Sequence, residues 1–388
     1  MTDNGIIIGM DGKRAVQNNT GLGNYSRYAL NILSLAYPSA QFRLYAPKNM
    51  PNERLEPLLG RENVSLTVPD TSFGGIGRAF WRTVDLPLDL KRDNVALYHG
   101  LSNELPMTIR GVCPSVVTIH DVIWRRSPAD YKAVDRRIYD FKYGRSARIA
   151  TRVIAISECT KRDLVADFGI DPSKIDVIYQ GVDPIFSLDI NTERRQEVRA
   201  KYSLPAHYIA CVGTVQPRKN QLLVVRALAL LPKNVHLVIV GRMDGAYADS
   251  VRREIERLGL SDRVKHLQGV PFTDLPYIYA DADASVYPSR YEGFGLPVVE
   301  SLTVGTPVVA ATGSCLEEAG GDGAVYVNPD DADSLASELL HIIDDRIYRD
   351  KLSRYGRRHV RKFSADTFAK ATMASYQKAI LAFSLVGT

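Results

Sequence analysis

The chain has 388 residues, 45% of them hydrophobic and 24% charged, with a formal net charge of +5. That length suits two domains with separate cores, and the composition is ordinary for a soluble globular protein. No apolar run approaches the ~20 residues of a membrane span, and four cysteines without CxxC spacing read as reduced thiols, not as a zinc site.

The first predicted strand, 5–9, lies in MTDNGIIIGMDG, whose early acid and short apolar run do not read as a signal peptide. It is followed by a glycine loop, Asn19-Thr20-Gly21-Leu22-Gly23-Asn24, which opens a helix. Gly21 and Gly23 resemble a phosphate loop loosely, without the full GxGxxG pattern or the Lys-Ser/Thr of a P-loop. Further strands are expected at 42–46, 96–98, 115–119, 152–156 and 174–178, alternating with amphipathic helical runs. Two of them end on histidines. His120, followed by Asp121, is a candidate to donate to a sugar or to stabilise developing charge, although a histidine after a strand is as often structural. His99, in Tyr98-His99-Gly100, is a weaker candidate on an acceptor side.

Segment 125–152 holds nine Lys/Arg and three Asp, a local +6 that leaves the remaining residues at −1 of the total +5. One basic face is therefore expected. Tyr131, Val134, Ile138 and Phe141 fall at i, i+3, i+7 and i+10, a stripe expected to pack on the domain core. Arg136, Arg137, Lys142, Arg145 and Arg148 spread over the rest, either simply solvated or docking to anionic lipid or a phosphorylated acceptor. Nucleic acid is disfavoured, since neither a recognised fold nor an interleaved stacking platform is present.

Turn formers without periodicity at 180–192 mark the break between halves. The second half predicts strands at 208–212, 236–240, 264–267, 284–287, 307–310 and 324–327, and it too opens as strand, glycine loop, helix. The alternation argues for an α/β protein of two Rossmann-like doubly wound domains facing a central cleft, with ligands at the carboxyl ends of the strands. The domains are placed at 1–185 and 186–365. Where the terminal stretch 366–388 packs is not readable from periodicity.

Within GTVQPRKNQ (213–221), Arg218 and Lys219 follow a strand. They read as cations for a departing diphosphate or as a solvated turn. In RYEGFGLPVVESLTVGTPVV (290–309), Pro297 suits a first helical turn, and the N–H groups of Phe294, Gly295 and Leu296 form an anion site at the helix start. Glu292 on the loop would accept hydrogen bonds from a sugar, and Glu300 on the helix would hold a ribose diol. The bland alternative is a solvated loop acid and an ordinary helix acid. Asp281-Ala282-Asp283 and Asp331-Ala332-Asp333 are poor metal sites, the first at a strand entry and the second in a polar loop.

Taken together, Glu292-GFGLPVV-Glu300, the following GTPVVA, PRKN, AISECTKRDL and IYQGVD resemble the retaining family 4 glycosyltransferases of GT-B fold along nearly the whole chain. The resemblance implies a hexosyltransferase of the mannosyl or glucosyl type that retains anomeric configuration without an obligatory metal. It also implies a nucleotide diphosphate sugar as co-substrate, GDP-mannose favoured over UDP-sugar, and a glycan or lipid-linked acceptor for surface polysaccharide. His120, Glu292, Arg218 and Lys219 would then be catalytic. Gly21, Gly23, Phe294, Gly295, Leu296 and Glu300 would bind donor, and His99, Arg136, Arg137, Arg145 and Arg148 would face acceptor or membrane. The resemblance places the enzyme in the cytoplasm, peripheral on the inner face of a membrane, with the last helix crossing back to the first domain. The family's arginine beside Gly213 is Thr214 here, and Arg218 is expected to take its place. A nucleotide-sugar epimerase and a non-catalytic scaffold are the alternatives on the same fold.

Overall fold

A computed structural model describes residues 5–69 and 74–386. Residues 1–4 of the first expected domain and 387–388 of the terminal stretch lie outside the described residues. The chain divides into two compact units: Met1–Arg125, Tyr131–Gly181 and Phe363–Thr388 form the first, and Arg126–Asp130 with Val182–Lys362 the second.

The first unit is built on seven parallel strands, β1 (Ile7–Asp11), β2 (Gln41–Tyr45), β3 (Val64–Thr67), β4 (Leu97–Gly100), β5 (Ser115–Ile119), β6 (Arg152–Ala155) and β7 (Ile175–Val177). Their order is β3-β2-β1-β4-β5-β6-β7. Central β5 is buried throughout, as a strand covered by helices on both faces must be. β3 has no counterpart among the expected strands. It is a short edge strand with only Val64 fully buried, so its sequence lacks the apolar run that marks the others. The terminal helix Ala365–Val386 closes this unit. Phe368 meets Tyr25 and Tyr28 edge-on, and Ser375 and Lys378 donate to Asp176 at 2.8 and 2.9 Å.

The basic segment forms the helix Ala133–Ile149, but of the expected stripe only Tyr131, just before the helix, packs on the core. Val134, Ile138 and Phe141 are 66%, 43% and 59% exposed. The inward ridge is Tyr139, Tyr143 and Ala147 instead, at steps of four. Tyr139 and Tyr143 stack with centroids 5.4 Å apart, and both meet Trp124 edge-on. Gly144 completes the inner face, because a Cβ there would lie 2.6 Å from the Phe168 ring. Tyrosine and glycine carry the packing, and a pattern built mainly on aliphatic residues misses it.

The second unit repeats the architecture with β8 (Tyr208–Val212), β9 (His236–Val240), β10 (Val264–Leu267), β11 (Ala284–Tyr287), β12 (Val308–Ala311) and β13 (Ala324–Val327). The order β10-β9-β8-β11-β12-β13 again reverses beside the first strand. All four cysteines are buried, and none of them forms a disulfide.

Candidate functional site

Three chain segments leave the carboxyl ends of neighbouring strands in the second unit: 213–220 after β8, 288–295 after β11 and 312–315 after β12. In doubly wound sheets this edge, at the order reversal, is where ligands bind. The loops are stitched together. The Arg290 amide donates to the Arg218 carbonyl at 2.8 Å, and the Cys315 thiol donates to the Glu292 carbonyl at 3.1 Å. Gly295 turns the chain into the helix Leu296–Val304 with φ +102°, and a Cβ on it would sit 2.6 Å from Leu316. Glycine is needed there on both counts. Pro297 occupies the first turn, and Gly305 ends the helix at φ +97°. The result is a helix whose amide-rich, positive end opens at the loop that carries Glu292.

Glu292 is the hub of the site. Its Oε1 lies 2.5 Å from both Arg218 Nη1 and Lys219 Nζ, and it accepts from Ser289 Oγ at 2.6 Å and Tyr287 OH at 3.1 Å. Burial would raise this carboxyl, but the charges of Lys219 and Arg218 outweigh it and hold Glu292 down to about 2. Burial pulls the Lys219 ammonium below its ordinary value, against Glu292. Lys219 also meets the Tyr287 hydroxyl and stands 4.5 Å over its ring. Arg218 donates to the Tyr291 carbonyl at 2.6 Å, which fixes its head beside Glu292. Two cations against one carboxylate leave a buried excess of one positive charge next to a helix N-terminus. Such a place attracts a multivalent anion.

The sequence reading put Glu292 on a sugar and the two cations on phosphate. Here the three side chains are turned on one another, because a buried carboxylate beside two buried cations lowers the energy of all three. Glu300, one turn into the helix, is half-buried and accepts from Tyr279 OH at 3.3 Å. Burial pushes its carboxyl up to about 7, with the charge of Asp183 adding to the shift. The two glutamates therefore differ in kind: one is locked ionised, the other is poised near neutrality.

Phe294 is buried on the loop, and Gly295 and Leu296 form the helix start, so Arg218, Lys219, Glu292, Phe294, Gly295, Leu296 and Glu300 all lie at this edge of the second unit. The histidines and the glycine loop belong to the first unit. His120 stands at the end of β5, buried, with Nε2 on the Leu101 carbonyl at 2.9 Å, and burial draws it down to about 4, so it is neutral. His99 is closed off: its ring nitrogens bond Tyr376 OH at 2.7 Å and Thr118 Oγ1 at 2.8 Å, and it is fully buried. The acceptor-side role expected of His99 is therefore corrected to a structural one that ties the terminal helix to the sheet. Gly23 is also accounted for locally, since a Cβ there would overlap the Asn18 carbonyl. Gly21 has open space around it. Asp281 is held by Arg195 and Arg199.

Sequence reasoning missed Tyr287, Ser289 and Tyr279, which orient the two glutamates, and Ser314, whose hydroxyl is buried without a partner. For Ser289 a signal existed, its place directly after β11 and three residues before Glu292. For Tyr279, 21 positions before Glu300 on another helix, there was none.

Paired Rossmann-like units, with a cationic pocket and a helix start at the strand ends of the second, define the GT-B class of glycosyltransferase. Residues 194–359 match the family of glycosyl transferases group 1, and residues 35–186 match glycosyltransferase family 4. The chain belongs to these family 4 glycosyltransferases, and it is an enzyme of that kind. It is 27% identical to an O-antigen chain mannosyltransferase B from Escherichia coli over 92% of this chain and 96% of the relative. It is 35% identical over 245 residues to a D-inositol 3-phosphate glycosyltransferase from Mycobacterium tuberculosis, a match covering 60% of this chain and 49% of that one. Among solved structures, Anabaena HepE in complex with UDP and glucose shares the fold with a TM-score of 0.73 at 21% identity, over 96% of this chain and 99% of the other. Among the described residues no helix is long and apolar enough to cross a membrane.

Proposed function

We propose that this enzyme moves a hexose from a nucleoside diphosphate sugar to a saccharide or lipid-linked acceptor, with retention at the anomeric carbon. The observation that carries the reading is the buried excess positive charge of Arg218 and Lys219 over Glu292 at the start of helix Leu296–Val304. A diphosphate would take over the two cations, and the released Glu292 carboxylate would be free to accept from sugar hydroxyls. The anomeric C–O bond to phosphate then breaks through an oxocarbenium-like state, with the negative charge building on diphosphate met by Arg218, Lys219 and the helix amides. The acceptor hydroxyl attacks from the same face and passes its proton to the departing phosphate oxygen. Because side-chain cations supply the charge, the reaction is proposed to need no metal ion. GDP-mannose is the favoured donor, in keeping with the mannosyltransferase relative that matches along nearly the whole chain. Calorimetry with GDP, UDP and ADP and their sugars tests the donor; NMR of the product anomer tests retention. No nucleoside diphosphate binding in the intact enzyme would end the proposal, and trapping a covalent glycosyl-carboxylate would end the same-face mechanism.

Glu300 gives this reading a pH signature. A ribose diol donates to the ionised carboxylate, so binding favours loss of the proton that Glu300 holds up to about 7. Nucleotide affinity is expected to rise about fivefold between pH 6 and 7 and about twofold more by pH 8, levelling off above. In Glu300→Gln the profile should be flat and the affinity lower. A wild-type affinity independent of pH across 6–8 would remove Glu300 from the nucleotide. Stability runs the other way. The folded state binds the proton more tightly than the unfolded chain, so the wild type loses stability as pH rises from about 4.5 to 7, and Glu300→Gln should not.

A further inference from the structure

We infer that Asn220 is a positioning residue of the donor site, one that makes Arg218 and Lys219 converge on a diphosphate without meeting the ligand itself. This role rests on the reading of the two cations proposed above. Consecutive residues on a helical turn do not face one another, yet Arg218 Nη1 and Lys219 Nζ both reach Glu292 Oε1 at 2.5 Å. The two cations sit on the short turn Pro217–Lys219, and the helix Gln221–Leu230 begins directly behind it. Asn220 stands between turn and helix at φ +59° and ψ +38°. That left-handed conformation is open to asparagine, whereas most side chains resist it. It ends the turn, so the helix does not continue through the cations and carry them apart.

The side chain of Asn220 is used as fully as its backbone. It is buried, and its Nδ2 donates to the Pro329 carbonyl at 2.7 Å and to the Pro288 carbonyl at 3.4 Å. Both amide hydrogens are thus spent on loops that follow two other strands, β13 and β11. Arg290 makes a second tie between the same loops, with its amide on the Arg218 carbonyl at 2.8 Å and its guanidinium on Asp330 at 2.5 Å. Gln221 closes the cationic loop on itself, accepting from the Gln216 amide at 3.3 Å and donating to the Thr214 carbonyl at 3.2 Å. Glycine at 220 would supply the conformation without the two donors. Aspartate would fit the turn but set a carboxylate against two carbonyl oxygens. Asparagine meets both demands. When a diphosphate takes the cations over from Glu292, a turn held to two neighbouring loops keeps them convergent, and binding then costs little ordering.

Calorimetry of the full chain with GDP and UDP tests this, beside ligand-observed NMR with guanosine and uridine, which lack the phosphates. Asn220→Gly keeps the turn and loses the tie, and should weaken diphosphate binding about threefold. Asn220→Ala loses both, and should weaken it about tenfold. Affinity for the bare nucleosides should not change in either variant, because only the phosphate end of the site is disturbed. In a Lys219→Ala background each loss should shrink to less than about twofold, since Asn220 acts through the cation that is gone. Should Asn220→Ala fail to fold, as its melting curve would show, Asn220→Gly carries the same comparisons. The inference is overturned if both variants bind diphosphates as the wild type does. It is also overturned if nucleoside affinity falls by the same factor, or if the losses persist undiminished without Lys219. A wild type that binds no nucleoside diphosphate ends the donor-site reading and this role with it, whereas wild-type binding with unaffected Asn220 variants ends this role alone.

Discussion

Glu292→Ala is expected to lower turnover about 10²–10³-fold while leaving nucleoside diphosphate affinity at least at the wild-type level. Two effects separate in this variant. The carboxylate that would accept from the sugar is gone, which removes stabilisation at the reacting carbon. The cations it held, Arg218 and Lys219 at 2.5 Å each, are released with no counter-charge in a buried place. Removing one partner of a buried ion cluster costs about 3–5 kcal/mol, so the variant should also unfold at lower temperature. A diphosphate restores the missing negative charge, and saturating nucleotide should therefore raise the melting temperature of Glu292→Ala by more than it raises that of the wild type. Thermal shift with and without GDP or UDP, beside steady-state kinetics, reads both effects. Unchanged turnover would take Glu292 out of the chemistry; lost nucleotide binding would mean that it, and not the cations, grips the diphosphate.

Much of this was legible from residue order, and what was not has identifiable physical causes. Parallel strands buried on both faces are continuous β-branched runs, so strands such as 115–119 and 284–287 stand at the residues the pattern marks. β3 escaped because an edge strand needs no such run. The Glu292/Glu300 spacing and the PRKN turn located the loops, since glycine, proline and charge at strand ends have few structural uses. Partner choice was not legible. That Glu292 closes on Arg218 and Lys219, and that His99 is consumed by Tyr376, 277 positions later, depend on loops and a helix brought together only by the fold. The outward turn of Val134, Ile138 and Phe141 was hidden for a similar reason: two faces of one helix carried apolar side chains, and the tertiary partner Trp124 selected the tyrosines.

Lys219→Ala should show the opposite pattern to Glu292→Ala. Taking away the ammonium leaves Glu292 and Arg218 as a one-to-one pair, so no buried charge is stranded and the loss of stability should be the smaller of the two. The diphosphate, however, loses one of its two cations. Hydrogen bonds to charged groups contribute about 1.5–3 kcal/mol, which sets the expected rise in the nucleoside diphosphate dissociation constant at about 10–150-fold. Turnover should fall by at least as much, because charge on the leaving group grows in the transition state. Lys219→Arg should rescue little: the ammonium is a compact charge packed over the Tyr287 ring 4.5 Å away, where a planar guanidinium has a different shape to fit. The double variant Glu292→Ala with Lys219→Ala removes one charge of each sign. Its stability loss should be less than the sum of the single losses by about 1–3 kcal/mol, while its nucleotide affinity follows Lys219→Ala alone. Additive stability losses would show that the carboxylate and the ammonium do not compensate each other. Wild-type nucleotide binding in Lys219→Ala would place the diphosphate elsewhere on the protein.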